Sequence, residues 1–205
     1  LTRLTMTTKI FTLFSVLLLL SACTSSFNPL DDYEQLTPST ILESPEPIAN
    51  VNYPEEEVQR GQYLLGLLGC GSCHTNGALV GRPDQRLLLA GSNTGIAYTN
   101  PLADPNPGIV YPSNLTPDPA TGIGSWSLQQ ITTMIQSGID NHGSRTLPVM
   151  PWPSYANIAD EDASAIAMYL KSLPPVQHQV PENVSPGQQA EAPFVHCGVY
   201  QSRDQ

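Results

Sequence analysis

Cys70-Gly71-Ser72-Cys73-His74 constrains this 205-residue chain more than any other stretch. A Cys-x-x-Cys pair followed at once by histidine has the spacing of covalent haem attachment. The reason is reach. Two thiols so spaced meet the two vinyl groups on one porphyrin edge, and the next residue lies under the iron, where an imidazole nitrogen binds it. Three other uses of the motif fit less well. A zinc site needs about four ligands, and the only other Cys–His pair, His196-Cys197, is unpatterned. A thioredoxin-like redox pair expects a βαβ context, and none is visible. A plain disulfide would leave His74 without a role. One covalent haem c is therefore expected, held by Cys70 and Cys73 with His74 on the iron.

Composition agrees with a chain wrapped around such a group. Charged residues make up 13%, and there are 20 prolines and 15 glycines, which excludes a coiled coil, a long helical bundle or an all-parallel sheet. The formal charge of −10 argues against nucleic acid as a partner, because phosphate neutralisation needs Lys and Arg. Glu55, Glu56 and Glu57 suit the first turn of a helix, and Val58, Tyr63, Leu64 and Leu67 continue it to Gly69. Ser127 with Gln130 reads as a capping box for a helix that stops by Gly138. A third helix runs from about Asp160 to Leu173 and is ended by Pro174-Pro175. Residues 75–125 read mostly as loop, and no repeat or strand-rich region is evident. The expected fold is all-α, with three or more short helices and long loops around one haem.

The N-terminus has another job. Arg3 and Lys9 precede an apolar run from Ile10 to Leu20, too short to span a bilayer and typical of an export signal. Leu20-Ser21-Ala22-Cys23 resembles the lipobox of bacterial lipoproteins, which implies that Cys23 becomes the first mature residue and carries lipid. Thr24 is not the Asp that favours inner-membrane retention in some bacteria, so either membrane is open. The chain divides into a signal peptide (1–22), a Pro-rich tether (23–54), a haem domain (55–176) and an irregular C-terminal tail (177–205). Cys197 is left without an intrachain partner and reads as a free or partly buried thiol.

A six-coordinate iron needs a second ligand. Met134 and Met168 sit at core spacing in apolar helices, His142 in a surface turn, and His178 and His196 in the tail. Met150 stands in Leu147-Pro148-Val149-Met150-Pro151-Trp152, where prolines restrict the backbone around a soft thioether. Met150 is therefore the expected axial partner of His74.

The chain resembles class I c-type cytochromes, and within them the cytochrome domains associated with bacterial periplasmic alcohol, aldehyde and sugar-acid dehydrogenases. The resemblance rests on Gly61-Gln62-Tyr63-Leu64 leading into Cys70–His74; Asn114-Leu115-Thr116-Pro117-Asp118 with Thr121-Gly122-Ile123-Gly124 and Trp126; Met150-Pro151-Trp152 with Tyr155; and Asp160-Glu161-Asp162 with Ala165-Ile166 and Tyr169–Pro175. It implies that the first and last helices cross near Gly61 and Tyr169. Trp126 is open to two roles, packing in the core or donating its indole N–H to a haem propionate. Asn114 and Thr116 read as turn residues, with bracing of the haem-facing loop as the alternative. Tyr98–Tyr111 reads as an insertion. Ala159 stands where the family often has Ser or Thr, so the helix cap is expected to shift to Asp160.

The expected function is one-electron transfer between redox partner proteins, including a periplasmic dehydrogenase, by a lipid-anchored carrier facing the periplasm. With His74 and Met150 both bound, no iron position is left for substrate, so the chain is not expected to be an enzyme. A haem peroxidase or a redox- or gas-sensing protein with an exchangeable sixth ligand is the alternative.

Overall fold

The computed structural model describes residues 42–48, 52–140, 142–143, 146–147 and 149–197. The signal peptide, Cys23 and most of the tether lie outside the described residues.

Helix α1 (Glu55–Leu67) carries its three glutamates in the first turn and buries Val58, Gly61 and Leu65. Helix α2 is one turn, Gly71–His74. Helix α3 (Leu128–Ser137) has the expected Ser127–Gln130 capping box, buries Ile131 and Ile135, and ends at Gly138 with φ 68°. A short α4 (Trp152–Tyr155) follows the loop after α3. Helix α5 (Asp160–Lys171) has acidic residues in its first turn and Lys171 in its last, matching both ends of the helix dipole. The cap does not shift to Asp160: Ala159 is the N-cap, with no side-chain bond. The Asp160 carboxylate instead accepts from Gln136 Nε2 at 3.0 Å, joining α3 to α5.

Helices α1 and α5 cross where expected. A Cβ on Gly61 would lie 2.0 Å from the Ala165 carbonyl oxygen and 2.8 Å from Tyr169 Cβ. Glycine is required there because only a bare Cα lets the two backbones approach so closely. Leu65, Ile166, Tyr169, Leu170 and Leu173 join Ile131 and Ile135 in the main core around this crossing.

The all-α expectation is corrected by a small three-stranded sheet in the order β2-β1-β3. Strand β1 (Gly95–Ala97) pairs antiparallel with β2 (Ile109–Val110) through Ile96↔Val110 and Ala97↔Ile109. Strand β3 (Phe194–His196) joins β1 in parallel, Gly95↔Phe194 to Ala97↔His196. The insertion thus folds back on itself and meets the tail, which is not irregular throughout. Ala97, Ile109 and Tyr111 form a second small core with Val184, Ala190, Ala192 and Phe194. Strands of two or three residues are too short to show a period of two.

Residues 42–48 fall in the segment expected to be tether. They are docked on the helices: Ile48 N–H donates to the Ser172 carbonyl at 2.8 Å, and the Pro45 carbonyl accepts from the Tyr169 hydroxyl and from Gln62 Nε2. A proline-fixed segment leaves carbonyls over, and here a buried tyrosine uses one.

Candidate haem-binding site

Gly69, at φ 69°, turns the chain off the end of α1 into the attachment segment. Cys70 already has helical φ and ψ, and its carbonyl accepts from Cys73 N at 3.3 Å and His74 N at 3.0 Å. Residues three and four apart share one face of a helix, so both thiols and the imidazole project from the same side of a single turn. Both thiols are free and half-buried. Burial pushes the Cys70 thiol up to about 11. Burial, with Cys197 nearby, also raises Cys73. Burial thus works against the thiolate that a nucleophilic redox pair needs.

The tautomer of His74 follows from its partner. Its Nδ1 lies 2.7 Å from the Ser113 carbonyl oxygen, which can only accept, so Nδ1 carries the proton and Nε2 the lone pair. Burial pushes the imidazole below its ordinary pKa and keeps it neutral, as metal ligation requires. The surrounding backbone is tied together. The His74 carbonyl accepts from Gly91 N at 2.8 Å, and Leu115 N donates to the Leu89 carbonyl at 2.8 Å. Leu89 N donates to the buried Thr75 hydroxyl at 3.1 Å.

Two free thiols and a neutral imidazole on one face form the donor set for covalent haem, and these residues fit that group. Among the described residues there is no group of three or more His, Cys, Asp or Glu that could hold a metal ion.

Met150 is half-buried on a bend, its carbonyl accepting from Trp152 N at 2.8 Å. The chain then returns to the attachment segment. The Tyr155 hydroxyl donates to the Leu68 carbonyl at 3.3 Å, and its phenol is raised by burial and by the neighbouring Cys70 and Cys73. Pro148 lies outside the described residues.

Of the other candidates, Met168 packs against the main core, His142 is exposed, and Met134 is half-buried on α3, as Met150 is on its bend. His178 donates through Nδ1 to the Ala90 carbonyl at 2.8 Å, and its backbone N–H donates to Thr121 Oγ1 at 3.0 Å. His196 lies in β3, and Cys197 is a free, exposed thiol.

Trp126 packs against the main core, one of its two expected roles. Its carbonyl and those of Ile123 and Gly124 accept from Lys171 Nζ at 3.1, 3.4 and 2.7 Å. Asn114 and Thr116 do more than shape a turn: Asn114 Nδ2 donates to the Val176 carbonyl at 2.8 Å, past the end of α5. Two contacts at the site were not legible in the sequence: Ser113 meets His74 through its backbone carbonyl, which its identity does not signal, and Tyr155 entered only among the residues that carry the resemblance, with no bond to Leu68 foreseen.

No family model matches the chain. It is 34% identical over 131 residues to the cytochrome c subunit of the quinone alcohol dehydrogenase of Gluconobacter oxydans (strain 621H), covering 62% of this chain and 24% of that protein. It is 33% identical over 130 residues to the fructose dehydrogenase cytochrome subunit of Gluconobacter japonicus, covering 63% and 24%. It is 34% identical over 120 residues to the gluconate 2-dehydrogenase cytochrome c subunit of Pantoea cypripedii, covering 58% and 24%. The chain spans about a quarter of the length of these relatives. Over about 60% of its length the chain is thus homologous to cytochrome c subunits of bacterial alcohol, fructose and gluconate dehydrogenases, which is consistent with a cytochrome domain.

Proposed function

We propose that this chain is a one-electron carrier with a single haem c in a class I cytochrome fold, and that it turns over no substrate of its own. The observation that carries the reading is the one-turn helix α2, which presents Cys70, Cys73 and a neutral His74 on one side, with the His74 tautomer fixed by Ser113. Cys70 and Cys73 would hold the group covalently, and His74 Nε2 and the Met150 thioether would be its two iron ligands. When bound, haem would supply a one-electron Fe(III)/Fe(II) couple, and a thioether ligand would raise its potential. The protein's part is to exclude water, fix the ligands and leave no open coordination position.

The partners we propose are redox proteins, with a periplasmic dehydrogenase as donor, in keeping with the names of the matched relatives. Lipid on Cys23 would hold the carrier at a periplasm-facing membrane, with the Pro-rich segment that follows it as the tether. Among the described residues no helix is long and apolar enough to cross a membrane.

The test has two stages. Protein produced with a haem-attachment system is denatured and its haem assayed on a gel: covalent haem lost in Cys70→Ser with Cys73→Ser supports the reading. Carbon monoxide is then added to the reduced protein. A saturated carrier leaves the spectrum unchanged, whereas rapid carbon monoxide binding would overturn the carrier in favour of a peroxidase or sensor.

A further inference from the structure

The Ser113 carbonyl fixes the proton on His74, yet Ser113 is exposed, and its own side chain does nothing to hold that carbonyl in place. The next residue supplies the anchor. Asn114 is 2% exposed and Thr116 1%. Asn114 Oδ1 accepts from Thr116 N at 2.9 Å and from Thr116 Oγ1 at 2.7 Å. Asn114 Nδ2 donates to Thr121 Oγ1 at 3.1 Å and to the Val176 carbonyl at 2.8 Å. Val176 N returns a bond to Thr116 Oγ1 at 3.1 Å. A carboxamide offers two N–H donors and two acceptor lone pairs, and all four are used. The preceding side is held as well, since the Pro112 carbonyl accepts from Ser92 N at 3.0 Å. The Asn114 backbone is itself wedged against Gly91, where an added Cβ would come within 2.9 Å of Asn114 N. Gly91 N is the donor to the His74 carbonyl.

We infer that Asn114 is a positioning residue for His74: its carboxamide ties residues 113–116 to the segment after α5 and so holds the Ser113 carbonyl against the imidazole. This rests on the haem reading above. A carbonyl that accepts from the second ring nitrogen fixes the ligand's orientation and raises its basicity. A more basic imidazole favours ferric iron and lowers the potential. Loosening Ser113 must therefore raise the potential, the opposite sign to losing a thioether.

The test compares haem-loaded wild type with Asn114→Ala, and with Thr116→Val in case the first variant does not accumulate. The control is Tyr111→Phe, which removes the hydroxyl bond to the Ala192 carbonyl at 2.9 Å in the separate small core. Two quantities are read: the oxidised-to-reduced ratio at a fixed applied potential, and the solvent-exchange rate of the His74 Nδ1–H by NMR of the reduced protein. The expected result for Asn114→Ala or Thr116→Val is a ratio at least threefold lower and exchange at least tenfold faster, with both unchanged in Tyr111→Phe. If a haem-bearing variant keeps wild-type values, or Tyr111→Phe shifts them equally, this inference is overturned and the haem reading stands. If wild type carries no covalent haem, both fall.

Discussion

Gly61→Ala sets two helix effects against each other, and their magnitudes decide the outcome. In an isolated helix alanine is favoured over glycine by about 1 kcal/mol. At the α1–α5 crossing the new Cβ would sit 2.0 Å from the Ala165 oxygen and 2.6 Å from its carbonyl carbon. These are backbone atoms of a buried helix, so no side chain can swing aside and the helices themselves must part. Leu65, Ile166 and Tyr169, at 1%, 2% and 0% exposure, lose contact together. Overpacking costs about 1–3 kcal/mol, and rigid backbone puts this site near the upper end. Less the propensity gain, the net loss is about 2 kcal/mol, or roughly 4–8 °C in Tm for a domain of this size. Gly66→Ala is the internal control. It lies in the same helix, and its Cβ would meet only the Ser44 hydroxyl at 3.1 Å, so it should be neutral or gain up to about 1 kcal/mol. Thermal unfolding followed by far-ultraviolet circular dichroism reads both. Gly61→Ala melting at or above wild type, or Gly66→Ala falling as far as Gly61→Ala, would refute the argument.

Met150→Ala should keep the haem attached, abolish the sulfur-to-iron band in the red region of the oxidised spectrum, lower the potential and admit carbon monoxide; Met134→Leu and Met168→Leu, which roughly conserve volume, should do none of these. Asp118 is held below the usual carboxylate range, first by the Thr121 hydroxyl and then by the Thr121 N–H. Its folded pKa is depressed, so its stabilising contribution is present above about pH 4 and is lost as pH falls through the folded value; thermal melts at descending pH should show Asp118→Asn losing less midpoint than wild type. Cys23→Ser should move the haem protein from the membrane pellet to the soluble fraction, and wild type found soluble after cell breakage would end the lipid-anchor proposal.

Local sequence determined the pieces that depend on near neighbours. The i, i+3, i+4 spacing of Cys70, Cys73 and His74 puts them on one face wherever that turn is helical. Ser127 with Gln130 and Gly138 marks the ends of α3. The Gly61 crossing came from the resemblance rather than from periodicity, and the close backbone approach explains it. Tertiary structure decided what depends on atoms every residue has or on partners far along the chain. A backbone carbonyl has no letter in the sequence, so Ser113 as the His74 partner, Pro45 as the Tyr169 partner and the three carbonyls around Lys171 could not be read in advance. Strand β3 finds β1 about a hundred residues upstream, and three residues are too few to announce a strand. Asn114 lies between the two cases: its residue type and neighbours suggested a turn, and only the arrival of Val176 from beyond α5 made it the link between the end of the fold and the histidine.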